Sequence, residues 1–292
     1  MDHVSVIAEI GECWNGELWQ AERLIQVAAE AGCDYTKFQT LDREGLAADD
    51  EERDWFRTLA LHREQLEHFR RCATQAGIRF LVTPEKALQA KMLWEMGCEE
   101  VKIASSCLVD HVLLDFVNGR FKRVFLSTGL AELEEVDEAV ARLDQVRELF
   151  LLHCIAEYPT GPLLAKRGLV ALDDHDVHLS MMQILAERYP HAQVGYSDHT
   201  VGLLAPMVAV AAGARVIEKH VTLDRRTPVE RFVAGGPSLG TDHVLSVEPD
   251  ELKELVRSVR KVETMLGPAE WRRSPGELVL REFLRQRFHH TA

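Results

Sequence analysis

The chain is short of several features that would point to a common function class. No stretch reaches the roughly 18 to 20 consecutive apolar positions that a membrane helix needs. The opening MDHVSVIAEIGECW has neither the basic segment nor the cleavage pattern of a secretory signal. The expectation is a cytoplasmic protein with no membrane partner. No Cys-x-x-Cys pair occurs: Cys13, Cys33, Cys72, Cys98, Cys107 and Cys154 are scattered, which suits reduced core thiols rather than a disulfide framework or a zinc site. Positive charge is in deficit, 34 Lys and Arg against 47 Asp and Glu, for a net charge of −13. That field repels polyphosphate, so no nucleic-acid partner is expected and an anionic ligand needs a local cluster of donors. P-loop, GxGxxG and GxSxG motifs are all missing, leaving nucleotide chemistry and serine hydrolysis unsupported.

What the chain does have is rhythm. Eight β-rich runs recur at Val4–Ile10, Asp34–Thr40, Ile78–Thr83, Glu99–Ala104, Arg123–Thr128, Glu148–Cys154, Gln193–Asp198 and Arg215–Val221. Between and after them lie amphipathic segments at about Leu18–Ala31, His62–Ala76, Lys86–Met96, His111–Asn118, Leu133–Val146, Val177–Arg188, Leu203–Ala212 and Asp250–Met265. Several helices end in glycine just before the next strand, as a left-handed C-cap requires. Eight such units, with strands apolar on both faces, predict an α/β fold of the closed (β/α)8 TIM-barrel type, with a doubly wound open sheet as the alternative. Polar residues gather at the C-terminal ends of the strands, which in a barrel converge on one mouth. The division expected is a barrel over 1–270 and a helical tail over 271–292. Two loops are long, Leu41–Leu61 and Thr227–Asp242, and suit lids or substrate clamps.

Within that mouth His199 and His220 close successive strands, an arrangement able to hold one divalent ion and leave positions open for water and substrate. Asp198 and Glu218 stand beside them as candidates to orient the rings. Lys37 and Lys102 end apolar strands, where an ammonium is costly unless it meets an anion. Either they hold a phosphate or carboxylate of a ligand, or they pair with buried acids such as Glu9 or Glu218. Thr83, Ser105, Ser127 and Ser197 add hydroxyls at the same level.

The order of short motifs resembles the N-acetylneuraminate (sialic acid) synthase family, which includes synthases of related nonulosonic acids and spore-coat polysaccharide proteins. The segments are AEIGECWNG from Ala8, KFQT from Lys37, FLVTP from Phe80, KIASS from Lys102, FLSTGLA from Phe125, LLHCIAEYP from Leu151, VGYSDHT from Val194, AAGARVIEKHVTLDR from Ala211 and TDHVLSVEPDEL from Thr241. The resemblance implies condensation of phosphoenolpyruvate with an open-chain aldose or other aldehyde, releasing phosphate and giving a 2-keto-3-deoxy acid. It implies a divalent cofactor, Mn2+ or Mg2+, bound by His199 and His220 to polarise the aldehyde. Lys37, Lys102, Thr83, Ser105, Ser127 and Ser197 match positions holding phosphoenolpyruvate, with Asp198 beside them. Glu9, Gln39, Tyr158 and Asp242 match residues reaching the sugar or the attacking water, and Glu218 joins the catalytic set.

The departures fall mainly on the acceptor side. Cys13 and Trp14 stand where the family has Asn and His, Glu85 and Lys86 follow the TP motif, Cys107 replaces an acidic residue, and Ala156 replaces Asn or Ser. Trp14, Trp55, Phe56 and Phe232 are candidates for a flatter or more apolar acceptor pocket. The family's antifreeze-like domain has no counterpart in the 271–292 tail, which removes the usual reason for a dimer and leaves a homodimer through barrel contacts open. Two other readings compete: another metal-dependent aldolase-type barrel, marked by Schiff-base chemistry at Lys102, and a non-catalytic pseudoenzyme that binds a phosphorylated ligand.

Overall fold

A computed structural model describes residues 3–41, 53–158, 172–233, 236–239 and 241–288, with side chains left aside over 228–241. Eight parallel strands alternate with helices in a (β/α)8 TIM barrel. The strands are β1 (Ser5–Glu9), β2 (Tyr35–Thr40), β3 (Arg79–Pro84), β4 (Glu100–Ile103), β5 (Arg123–Ser127), β6 (Glu148–Cys154), β7 (Gln193–Asp198) and β8 (Val216–His220). The ladder runs β3-β2-β1-β8-β7-β6-β5-β4, and β3 and β4 meet side by side at the seam that closes the ring.

The helices are α1 (Leu18–Ala31), α2 (Arg53–Leu59), α3 (Arg63–Ala76), α4 (Ala87–Glu95), α5 (His111–Val117), α6 (Leu133–Arg142), α7 (Met181–Arg188), α8 (Leu204–Ala211), α9 (Thr241–Leu245), α10 (Pro249–Leu266) and α11 (Pro275–Arg287), the last of which is exposed along its whole length. Gly32 and Gly77 take left-handed φ values of 83° and 76° after α1 and α3, closing those helices as expected from their place in the sequence. α7 starts at Met181, four residues later than periodicity places it, because a turn at 174–176 precedes it. The long 227–242 segment contains an antiparallel hairpin, β9 (Pro228–Val233) with β10 (Gly236–Leu239), and β9 approaches α2 from the other long loop. The Phe232 side chain and residues 42–52 of the first loop lie outside the described residues.

Alternation along each strand sorts side chains to the barrel axis or to the helices. At the bottom Arg123 bonds Tyr35, Glu100 and Glu148, and Arg79 lies over the Tyr35 ring. Above them Ile7, Tyr35, Leu81, Phe125, Phe150, Leu152 and Val216 fill the middle. The top layer is polar: Glu9, Lys37, Thr83, Lys102, Ser127, Ser197 and Glu218. The interior is therefore a packed apolar core between the Arg123 cluster at one end and a buried polar layer at the other.

Gly195 shows how full the middle is. A Cβ there would stand 2.5 Å from Leu152 Cδ2 and 2.7 Å from the Val216 carbonyl oxygen. Gly195→Ala is expected to lower the unfolding free energy by about 2 kcal/mol, read as a fall in the urea midpoint; an unchanged midpoint would mean that the barrel has room to spare.

Candidate functional site

The polar layer surrounds a cavity of about 240 Å³ lined by Lys37, Gln39, Lys102, Ser105, Ser106, Ser127, Leu130, Ala156, Tyr158, His199, Glu218 and His220, with Ala104 at its wall. These come from six strand ends or the loops just beyond them, so the closed sheet assembles the site. A larger hollow of about 470 Å³ on the flank, beside Arg57, His62, Leu88 and Glu95, gathers none of these groups.

At the cavity floor, four charges neutralise one another. Lys102 Nζ donates to Glu218 Oε1 at 2.9 Å, Lys37 Nζ lies 3.2 Å from Glu218 Oε2 and 2.7 Å from Glu9 Oε2. Both lysines are almost wholly buried, 2% and 3% exposed, where an unpaired ammonium would cost several kcal/mol. Burial pushes the Lys37 amine down to about 7, although Glu218 pulls it back up. Burial alone would raise the Glu218 carboxyl, but Lys102 and then Lys37 outweigh it and hold it well below the usual carboxylate range. Ser197 donates to Glu218 Oε1 at 2.9 Å, Lys37 also donates to Thr83 Oγ1 at 3.2 Å, and Gln39 donates to Glu9 Oε1 at 2.8 Å. Glu9 and Thr83 thus stand one step behind the cavity, through Lys37.

Above this floor the rings of His199 and His220 lie with centroids 5.5 Å apart, and Tyr158 stacks on His199 at 4.6 Å. His199 Nδ1–H donates to the Ile155 carbonyl at 2.8 Å, which leaves Nε2 as the ring nitrogen that could bind a cation on losing its proton. Burial disfavours charge on His199, but Cys154, 3.8 Å away, and the Ile155 carbonyl raise it to about 9. His220 is pushed down to about 4, chiefly by burial, so its imidazole is neutral. Its Nδ1 is buried without a hydrogen-bond partner among the described residues, with Asp242 Oδ2 3.6 Å away. A neutral imidazole with an unpartnered nitrogen, beside a second imidazole whose Nε2 would give up its proton to a cation, is a donor set that fits a divalent ion. Burial, then the Asp242 charge, keep the Tyr158 phenol well above its ordinary pKa, and hence a proton donor. Ser127 Oγ is likewise buried without a partner among the described residues.

Several placements differ from expectation. Asp198 is turned to the helix side of β7, where Oδ1 accepts from Tyr196 and Thr200 and Oδ2 accepts from Lys219 at 2.7 Å. Its carboxylate is saturated there and faces neither the cavity nor a histidine ring, because Ser197 takes the inward position one residue earlier. Glu218 does point inward, but to the lysines rather than to an imidazole. Asp242 lies beside His220, accepting from the Glu12 amide at 2.9 Å, behind the cavity wall. Trp14 is buried edge-on against Phe69, so that departure alters the core and not the cavity. Trp55 and Phe56 pack partly buried against the same core. Cys107 Sγ turns to the Glu85 carbonyl at 3.6 Å. Among the departures only Ala156 reaches the cavity, joined by Leu130, which has a φ of 66° and is 76% exposed. Leu130 was missed in the sequence because nothing marks a leucine in LSTGLA as left-handed.

Lys219 was also missed. Its ammonium is fully buried, held by Asp198 and the Thr200 carbonyl, and so ties the end of β8 to the end of β7, next to both histidines. Lys219→Met, which strands the Asp198 charge, is expected to cost roughly 3 to 5 kcal/mol of stability, measured by chemical denaturation. Adding Asp198→Asn should return part of that loss; equal stability of the two variants would show that the pair is not coupled.

Residues 24–270 match the family model described as the NeuB family. An uncharacterized protein of Methanocaldococcus jannaschii is 37% identical over 93% of this chain and 74% of its own length. The N,N'-diacetyllegionaminic acid synthase of Legionella pneumophila is 32% identical over 96% of this chain and 78% of its own. The crystal structure of N-acetylneuraminic acid synthetase from Leptospira borgpetersenii, in complex with citrate, superposes with a TM-score of 0.84 at 29% identity, covering 99% of this chain and 94% of that one. With the family model matching residues 24–270, and relatives above 30% identity over more than nine-tenths of its length, the chain belongs to the NeuB family.

Proposed function

We propose that the protein condenses phosphoenolpyruvate with an open-chain aldose or related aldehyde, releasing phosphate and forming a 2-keto-3-deoxy acid. The observation that carries this reading is the meeting of Lys37 and Lys102 at Glu218, directly beneath two buried imidazoles. Its support from outside the chain is membership of a family whose relatives are named as synthases of such acids.

The two ammoniums, with Ser105, Ser127 and Ser197, bind the phosphate and carboxylate of phosphoenolpyruvate and stabilise the charge that develops there. His199 and His220 hold a divalent ion, Mn2+ or Mg2+, which supplies Lewis-acid polarisation of the acceptor carbonyl. Tyr158 caps the His199 ring and donates toward the acceptor, while Gln39 lines the acceptor wall. Glu9 and Asp242, both behind that wall, orient Lys37 and His220 respectively. Leu130 and Ala156 give the acceptor side an apolar strip, which favours an aldehyde other than N-acetylmannosamine. Oligomeric contacts are not needed for any of these groups to meet.

The test is phosphate release from phosphoenolpyruvate with a panel of aldoses and Mn2+, with mass spectrometry of the product. Binding without release from any aldehyde would favour the non-catalytic reading; trapping of Lys102 by borohydride would favour an aldolase. Calorimetry should show metal-dependent phosphoenolpyruvate binding that His199→Ala/His220→Ala abolishes. Because the Lys37 amine lies at about 7, its charge is present below that pH and lost above it. Affinity for phosphoenolpyruvate is therefore expected to weaken as pH rises through 7 to 9, and to become weak and flat in Lys37→Met; a wild-type affinity that stays constant to pH 9 would contradict the assignment of Lys37 as an anion ligand.

A further inference from the structure

Away from the mouth, on the outer helical layer, three side chains of different chemistry converge on one point. His68 and Cys72 are one turn apart on α3, so both project from the same face. Glu22 reaches them from α1. His68 Nε2 lies 2.7 Å from Glu22 Oε1 and 3.7 Å from Cys72 Sγ, and the three ligand atoms all fall within 4.8 Å of one another. The group is half-buried, with the His68 and Glu22 side chains 37% and 46% exposed, so an ion can reach it from solvent.

We infer that Glu22, His68 and Cys72 form a second metal site, selective for a borderline-soft divalent ion of the Zn2+ and Co2+ class, with water as the fourth ligand. A tetrahedral ion bound at about 2.0 Å to nitrogen and oxygen and about 2.3 Å to sulfur needs edges of roughly 3.3 Å and 3.6 Å. The nitrogen-to-sulfur edge already has that length, and the nitrogen-to-oxygen edge, now a hydrogen bond, has to open by about 0.6 Å, a change within reach of the flexible Glu22 side chain. The donor set of one thiolate, one imidazole and one carboxylate disfavours Mg2+ and Ca2+, which take oxygen ligands. The six cysteines are scattered in sequence, yet this one finds its partners through helix packing, since Glu22 is 46 residues from His68. The ion staples α1 to α3, the two helices on either side of β2, and is independent of the reaction proposed for the mouth.

The test uses the whole protein, with Co2+ and Zn2+ alone as probes. Co2+ should produce a sulfur-to-cobalt charge-transfer band in the near ultraviolet that is lost in Cys72→Ser and in His68→Ala. The band should persist in His199→Ala/His220→Ala, which removes the imidazoles near the buried thiol of Cys154. Zn2+ should raise the thermal midpoint of the wild type, and Glu22→Ala, which leaves the mouth untouched, should reduce that shift. No band in the wild type, or a band that survives Cys72→Ser, overturns the assignment and leaves an ordinary Glu22–His68 hydrogen bond. Should the double histidine variant not fold, the Cys72→Ser and Glu22→Ala results decide the matter by themselves.

Discussion

The sharing of Glu218 between Lys37 and Lys102 is the contact on which the mouth of the barrel depends. Two ammoniums could not be buried there without a carboxylate between them, because the desolvation of each is too costly to leave uncompensated. With Glu9 closing the other side of Lys37, two positive and two negative charges balance, and the cluster spans β1, β2, β4 and β8. Strand ends far apart in sequence are thereby held to one geometry. Both ammoniums are thereby fixed at the floor of the cavity, Lys102 by Glu218 and Lys37 by Glu218 and Glu9.

Strand alternation builds a second polar layer on the opposite side of the same strands. Ser197 and Glu218 look into the cavity, while Asp198 and Lys219, their immediate neighbours in sequence, bond to each other behind it. One face presents groups able to bind; the other fixes the backbone that carries His199 and His220. A one-residue change of register would exchange the two sets, so the buried Asp198–Lys219 pair also specifies the pairing of β7 with β8. The apolar layer below contributes differently: Phe125, Phe150 and Leu152 leave no space beneath the cluster, so the cavity has a floor and opens in one direction.

Much of this was legible beforehand. The strands end within a residue or two of where hydrophobic runs place them, because a barrel strand buried on both faces shows as a short apolar block. Lys37, Lys102, His199 and His220 were legible as residues of the mouth because each is a polar group that ends an apolar block. Asp198 was misplaced for a physical reason: a carboxylate next to a histidine at a strand end looks the same whether it turns inward or outward, and the direction is set by Lys219, which is read only with the register known. Trp14 could not be assigned to core or cavity until Phe69 was seen against it.

The sequence by itself determined the eight-unit barrel, the end of it at which the cavity-lining polar residues gather and the residue types available there. These follow from local quantities: the periodicity of hydrophobic burial, helix-ending glycines and the cost of polar groups in apolar strands. Only the tertiary structure decided which acid pairs with which lysine, that Asp198 and Lys219 belong to the outside of the sheet, and that Glu22, His68 and Cys72 meet across two helices. Those pairings depend on strand register and helix packing, which are set by the whole core at once and leave no mark at any single position in the chain.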